Sequence, residues 1–176
     1  MRKRFFLISS IIIFGLGFLL HNVYNIMPNF LTSIFFQTNE SIWQHNKLII
    51  TSYLVLALMT KFYLKYNKKN VFFASSIAVL ICMVLETSLF GLIYFYILET
   101  KESMIAALTT YAISIIVAQY VWTILLNKDY DRNYEIIGII LFTFFYVLLT
   151  VTTYNPIHNK IFYDYKHHTY NIVQSK

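Results

Sequence analysis

The sequence is short of cysteine and of charge. Cys82 is its single cysteine. That excludes an internal disulfide and every cysteine-rich zinc motif. Lying inside an apolar block, Cys82 reads as a small buried hydrophobe. Charged residues make up only 12% of the 176 residues, too few to coat a soluble domain of this size. There is no glycine-rich phosphate loop, no His-Glu-x-x-His helix, no Gly-x-Ser-x-Gly elbow and no CxxC pair. Nucleotide hydrolysis and the common membrane metalloprotease motif are thereby excluded. No sequence repeat and no low-complexity linker divides the chain, so residues 1–176 read as one domain.

What the chain does have is apolar length. Hydrophobic residues reach 58% and aromatic residues 19%, gathered into long blocks. Five blocks stand out, at about 5–26, 48–64, 71–98, 104–126 and 136–154. At about 1.5 Å per residue, such blocks can cross a hydrocarbon core of about 30 Å. The expected fold is therefore an all-α membrane protein, a bundle of five transmembrane helices plus a short interfacial helix at about 28–37. Met1-Arg2-Lys3-Arg4 resembles the start of a signal peptide, but the block behind it runs on to about Ile26 without a small-x-small cleavage site. It reads as an uncleaved first helix.

The net charge of +6 and the pI near 9.3 do not point to nucleic acid. Lys and Arg gather at the ends of the apolar blocks, where membrane topology places them, so the expected partner is the lipid bilayer. With the N terminus cytoplasmic, nine basic residues lie inside: Arg2, Lys3, Arg4, Lys61, Lys65, Lys68, Lys69, Lys128 and Arg132. Five lie outside: Lys47, Lys101, Lys160, Lys166 and Lys176. The excess predicts a multi-pass protein of the cell membrane, N terminus cytoplasmic and C terminus outside. The outer tail, 155–176, carries Pro156, Ile157, Ile161, Phe162 and Tyr163. Such apolar residues should fold back over the bundle mouth.

Between the first two spans, Met27, Phe30, Leu31, Ile34 and Phe35 form one apolar helical stripe, with Asn29, Thr32 and Ser33 facing away. Pro28 suits the first turn. Then comes the most distinctive string, Asn39-Glu40-Ser41-Ile42-Trp43-Gln44-His45-Asn46-Lys47. Asn39 can cap a helix, Glu40 then sits near the positive dipole end, and Trp43 suits the membrane interface. His45 and Lys47 are left over from that account. On a regular helix Glu40 and His45, five apart, point to different faces. They can share a partner only if Glu40 stands in a bent cap.

This string resembles a bacterial family of small multi-pass membrane proteins classed as a domain of unknown function, with an Asn-Glu-Ser-x-Trp-x-His-x-Lys motif. His21 and Tyr24 are similar to its His-x-x-Tyr pattern. Pro156, Phe162, Asp164 and Tyr170 are similar to its Pro…Phe-x-Asp…Tyr-Gly pattern. The resemblance covers nearly the whole chain. Gln44 departs from the usual Glu, and Asn171 from the usual Gly, although Asn tolerates a left-handed backbone. The resemblance implies no activity. It does imply that these residues belong together.

All five histidines (His21, His45, His158, His167 and His168) fall at or beyond the outer ends of spans, as do Glu40, Glu99, Glu102 and Asp164. Imidazole beside carboxylate suits a divalent metal such as zinc, or general acid–base work. The candidate outer site is His21, Asn39, Glu40, Trp43, His45, Lys47, Glu86 and Asp164, with His21, His45 and Asp164 as metal ligands. Glu86 is included as the one acidic residue inside an apolar block. A carboxylate there is costly and faces the bundle. Ala106, Thr110, Ser114 and Ala118, at four-residue spacing, let helices approach closely.

Three functions remain open. One is binding or transport of a small solute, ion or lipid at an outward site. Another is a membrane-embedded hydrolase, metal-dependent in one version. The third is a non-catalytic accessory subunit with a membrane-protein partner. Five crossings offer no inverted repeat, so a transporter carries the expectation of a homodimer.

Overall fold

The computed structural model describes residues 2–63, 70–101, 103–128 and 130–173. Lys65, Lys68, Lys69, Glu102 and Lys176, used above for topology and sidedness, lie outside the described residues, as does Leu64 at the end of the expected second span. Helix α1 (Arg2–Leu20) is followed by two short helices, α2 (Val23–Ile26) and α3 (Phe30–Phe35). Four long helices complete the bundle: α4 (Ile42–Leu58), α5 (Val71–Leu92), α6 (Met104–Leu126) and α7 (Arg132–Tyr154). Helices α4 and α5 each end in a wider π-helical turn, Met59–Tyr63 and Ile93–Ile97.

Among the described residues four segments are long and apolar enough to cross a membrane: Arg4–Ile26, Val71–Ile97, Met104–Leu126 and Arg132–Tyr154. Helix α7 shows why. Ile140, Phe144, Val147 and Val151 are exposed along one side, while Phe142, Phe145 and Leu149 are buried on the other. A helix apolar all round belongs in lipid.

The expected span at 48–64 differs. It begins six residues earlier, at Ile42, and carries Gln44, Asn46, Lys47, Thr51 and Ser52 buried. Helix α4 packs against α1, α3, α5 and α7. A helix enclosed by other helices needs no apolar coat, and Gln44, Asn46, Lys47 and Thr51 each bond to a group on a neighbouring helix.

The long helices run alternately up and down. At the far end, Phe5 of α1 stacks on Trp122 of α6 at 5.5 Å. There Glu135 of α7 accepts from Lys61 at 2.8 Å and from the Phe72 backbone N–H at 2.9 Å. That second bond satisfies an orphan donor in the first turn of α5. Gly138 sits where α7 meets α5 so closely that a Cβ would run into the backbone of Phe72 and Phe73. The small-residue stripe of α6 faces α5, with Thr110, Ser114 and Ala118 all buried.

Helix α3 is shorter than the expected 28–37, because Asn29, not Pro28, begins it. Asn29 and Thr32 form a reciprocal capping box. Its apolar stripe is split. Phe30 and Leu31 are exposed, whereas Phe35 packs edge-on against Tyr146 of α7. Ser33, expected to face away, is buried and shares a 2.7 Å hydrogen bond with Tyr154.

Candidate functional site

Three side chains meet at the end of the bundle where α1 stops and α4 starts. His21 lies in the turn between α1 and α2. Glu40 lies in the loop before α4. His45 lies on the second turn of α4. Ser41 is the N-cap of that helix, its hydroxyl accepting from the Gln44 N–H at 3.3 Å. The expected cap, Asn39, instead accepts from the Ser41 N–H at 3.0 Å. The helix therefore starts two residues later than the motif suggested, and Glu40 stands in the bent cap. That removes the obstacle to its meeting His45.

Glu40 Oε2 is 3.7 Å from His21 Nε2 and 3.6 Å from His45 Nε2. One ligand atom from each of the three residues lies within 4.8 Å of the others. The two imidazole centroids are 5.4 Å apart. His45 Nδ1 donates to the Ser41 carbonyl at 2.8 Å. A carbonyl only accepts, so that nitrogen carries the proton. Nε2 of the neutral ring is left with its lone pair toward Glu40. The side-chain amide of buried Gln37 lies 3.1 Å from His21 Nε2 and 3.5 Å from Glu40 Oε1.

Asp164 stands one layer behind. It is buried, and its Oδ2 accepts from the Glu40 backbone N–H at 2.8 Å and from His167 Nδ1 at 2.8 Å. Its Oδ1 accepts the backbone N–H groups of Lys166 and His167, each at 2.9 Å. Burial alone would raise its pKa. The N–H donors of Glu40 and His167, with the His167 ring, outweigh burial and hold it below the ordinary carboxylate value. Asp164 thus fixes the backbone at Glu40, and its oxygens are not among the three converging groups. Sequence reasoning grouped it with His21 and His45 because spacing does not show which side chains converge.

The other expected site residues lie around this group or apart from it. Trp43 stacks on Phe162 of the tail at 4.7 Å and donates to Thr152 at 2.8 Å. Asn39 donates to the Asn171 carbonyl at 3.0 Å. Lys47 is fully buried and donates to the Ser33 carbonyl at 2.6 Å, tying α4 to α3. Glu86 bonds within the α5–α6 interface, to Thr110 and Ser114.

The tail closes this end. The Trp43 N–H donates to the Ile161 carbonyl at 3.1 Å, and the Val173 N–H to the Thr38 carbonyl at 2.9 Å. A single bridge pairs Asp164 with Thr169. The left-handed residue of the turn it closes is His168, with φ 53°, and not Asn171. A small cleft of about 90 Å³ opens beside Glu40, lined also by Gln37, Thr38 and His167. Gln37 was missed from the sequence. His167 was seen only as one of three tail histidines, although its i, i+3 spacing from Asp164 was a usable signal.

Comparison with curated proteins finds no match, and comparison with solved structures finds none either. One family model does match, over residues 1–172, and the chain belongs to that family, described as a family of unknown function (DUF6512).

Proposed function

We propose that this is a multi-pass protein of the cell membrane that binds a divalent metal ion of the zinc class through His21, Glu40 and His45. One observation carries this reading: the spacing of the three donors. Direct hydrogen bonds between such groups measure about 2.7–3.2 Å. The gaps here are 3.6 and 3.7 Å. Ligands at about 2.1 Å from a tetrahedral ion stand about 3.4 Å apart. Two imidazoles and one carboxylate are a known zinc set, with further positions left to water or a solute. His45, its Nδ1 bonded to a carbonyl, is in the tautomer a metal ligand needs. The site lies at the outer face in the proposed topology, where α4 makes the fifth crossing, the N terminus is cytoplasmic and the C terminus outside.

The test is elemental analysis of the full chain purified in detergent and titrated with zinc. One tightly held ion per chain is expected, reduced at least 100-fold in affinity by His45→Ala or His21→Ala. A folded wild-type chain that takes up no zinc overturns the proposal.

A second reading has its own support. His167 lines the cleft beside Glu40, and its Nδ1 is held by buried Asp164. A base oriented by a carboxylate next to an open metal position fits a metal-dependent hydrolase. That reading predicts that His167→Ala keeps the metal but ends hydrolysis of a small ester probe. Wild-type protein that is loaded with zinc and inert toward such probes speaks for binding or transport instead.

A further inference from the structure

The bundle interior holds a second polar system that the metal site does not use. Glu86 is buried on α5 and turns to α6. Its Oε1 accepts from the Thr110 hydroxyl at 3.0 Å and its Oε2 from the Ser114 hydroxyl at 3.2 Å. Among the described residues no cation pairs with it. The Thr110 hydroxyl is also 3.0 Å from the Ala107 carbonyl. It has one hydrogen to give. Given to Glu86, that hydrogen supports a carboxylate. Given to Ala107, it leaves a lone pair that can accept from a carboxylic acid. Glu86 can therefore gain or lose a proton while every heavy atom stays in place.

Further along the same interior, four polar atoms are buried and find no hydrogen-bond partner in the protein: Ser52 Oγ, Tyr53 OH, Tyr111 OH and Gln119 Nε2. They lie near one another. Tyr111 lies near Ser52 and Glu86, and Tyr53 near Gln119 and Tyr111, with contacts that fall short of well-formed hydrogen bonds. Ser9 of α1 holds Gln119 Oε1 at 3.2 Å, which aims the Nε2 donors inward. From Thr110 to Gln119 the helix rises about 13 Å at 1.5 Å per residue. Unmet polar groups cost more inside a membrane than in a soluble core, and ordered water is what satisfies them.

We propose that Glu86 is a proton-binding site within the membrane, served by ordered water held on Tyr111, Ser52, Tyr53 and Gln119. The proton adds to Glu86 Oε1 from that water as the Thr110 hydroxyl turns to Ala107, and it leaves by the reverse path. The other titratable groups facing this region are Cys82 on α5, Tyr53 on α4 and Tyr111 on α6. Tyr146 of α7 turns to Thr51, and α1 presents Ser9 and apolar side chains. Among the described residues, Glu86 is thus the one carboxyl group of the column.

The experiment is infrared difference spectroscopy between acid and alkaline buffer, on the full chain reconstituted in phosphatidylcholine vesicles with a chelator present. A protonated-carboxyl C=O band is expected, lost in Glu86→Gln and shifted within minutes in D2O. Thr110→Val, which keeps the acid and removes its partner hydroxyl, should shift the band in frequency, whereas Thr109→Ala on the exposed side should not. No such band, a band unchanged by Glu86→Gln, a band that ignores D2O, or one that Thr110→Val leaves in place overturns the proposal.

Discussion

Glu40 can face both histidines only because it stands before α4 and not in it. Position 41 decides this. Ser41 accepts from the Gln44 N–H and stops the helix there, so Glu40 keeps an extended link to the tail. Had Asn39 been the cap, Glu40 would lie in the first turn, on a different face from His45. Asn39 was the expected cap, although Asn and Ser rank alike in that role. What settles the choice is remote: Asp164, 124 residues later, takes the Glu40 N–H. Asp164→Ala should therefore leave buried N–H groups unpaired and cost about 2–3 kcal/mol. It should also weaken zinc binding about 10–100-fold, as loss of supporting contacts does. Thermal unfolding and zinc titration of the same variant check the two effects. The pH dependence follows from the sign of the shift. The folded pKa of Asp164 lies below its unfolded value of about 3.9. Its contribution is fully present above that value and is lost as pH falls through the lower, folded one. The protection of the Val173 N–H, which bonds to Thr38, measured relative to its intrinsic exchange rate, should hold from pH 8 to about pH 5 and fall below about pH 4. Protection that already fades near pH 6 would remove Asp164 from this role.

At the scale of elements, the apolar blocks made α1, α5, α6 and α7 legible, because lipid-facing and core-facing sides are both apolar. Helix α6 matches its block of 104–126 residue for residue. The ends were less legible. Helix α7 begins at Arg132, four residues before its block, since a helix continues into polar residues wherever a neighbour pairs with them. Here Lys61 pairs with Glu135. Helix α4 was hardest to read, because several of its polar residues bond to groups that no local pattern encodes. Asn46 with Thr87 and Lys47 with the Ser33 carbonyl are examples. The tight crossing of α5 and α7 was not legible at all. Gly138 carries it, and a lone glycine in an apolar block gives no sign of which backbone will approach. Gly138→Ala should place its methyl against the Phe72–Phe73 backbone and destabilise the fold by about 1–3 kcal/mol. At Gly15, where a Cβ meets nothing, the same substitution should be neutral or slightly stabilising. Unfolding in mild detergent compares the two, and equal effects would count against the close crossing.

The whole molecule has two ends of different character. One holds the convergent histidines, Glu40 and the folded-back tail; the other holds the Lys61–Glu135 pair and the Asn70 bonds to the Leu125 and Lys128 carbonyls. If all five long helices cross, the termini of the chain lie on opposite sides of the bilayer. The sequence count of nine Lys and Arg against five sets the proposed direction, with the N terminus cytoplasmic. Single cysteines test the direction and the crossing of α7, because Cys82 is buried and should not react. Lys160→Cys, exposed in the tail, should label with a membrane-impermeant maleimide in intact cells. Asn127→Cys, exposed at the other end of α6, should label only after permeabilisation. The reverse pattern would invert the protein and put the histidine site in the cytoplasm, where buffered zinc is scarce and His21, Glu40 and His45 would need a much higher affinity to be filled. Labelling of both in intact cells would mean that α7, the helix between the two positions, does not cross, and the five-helix topology would fall with it.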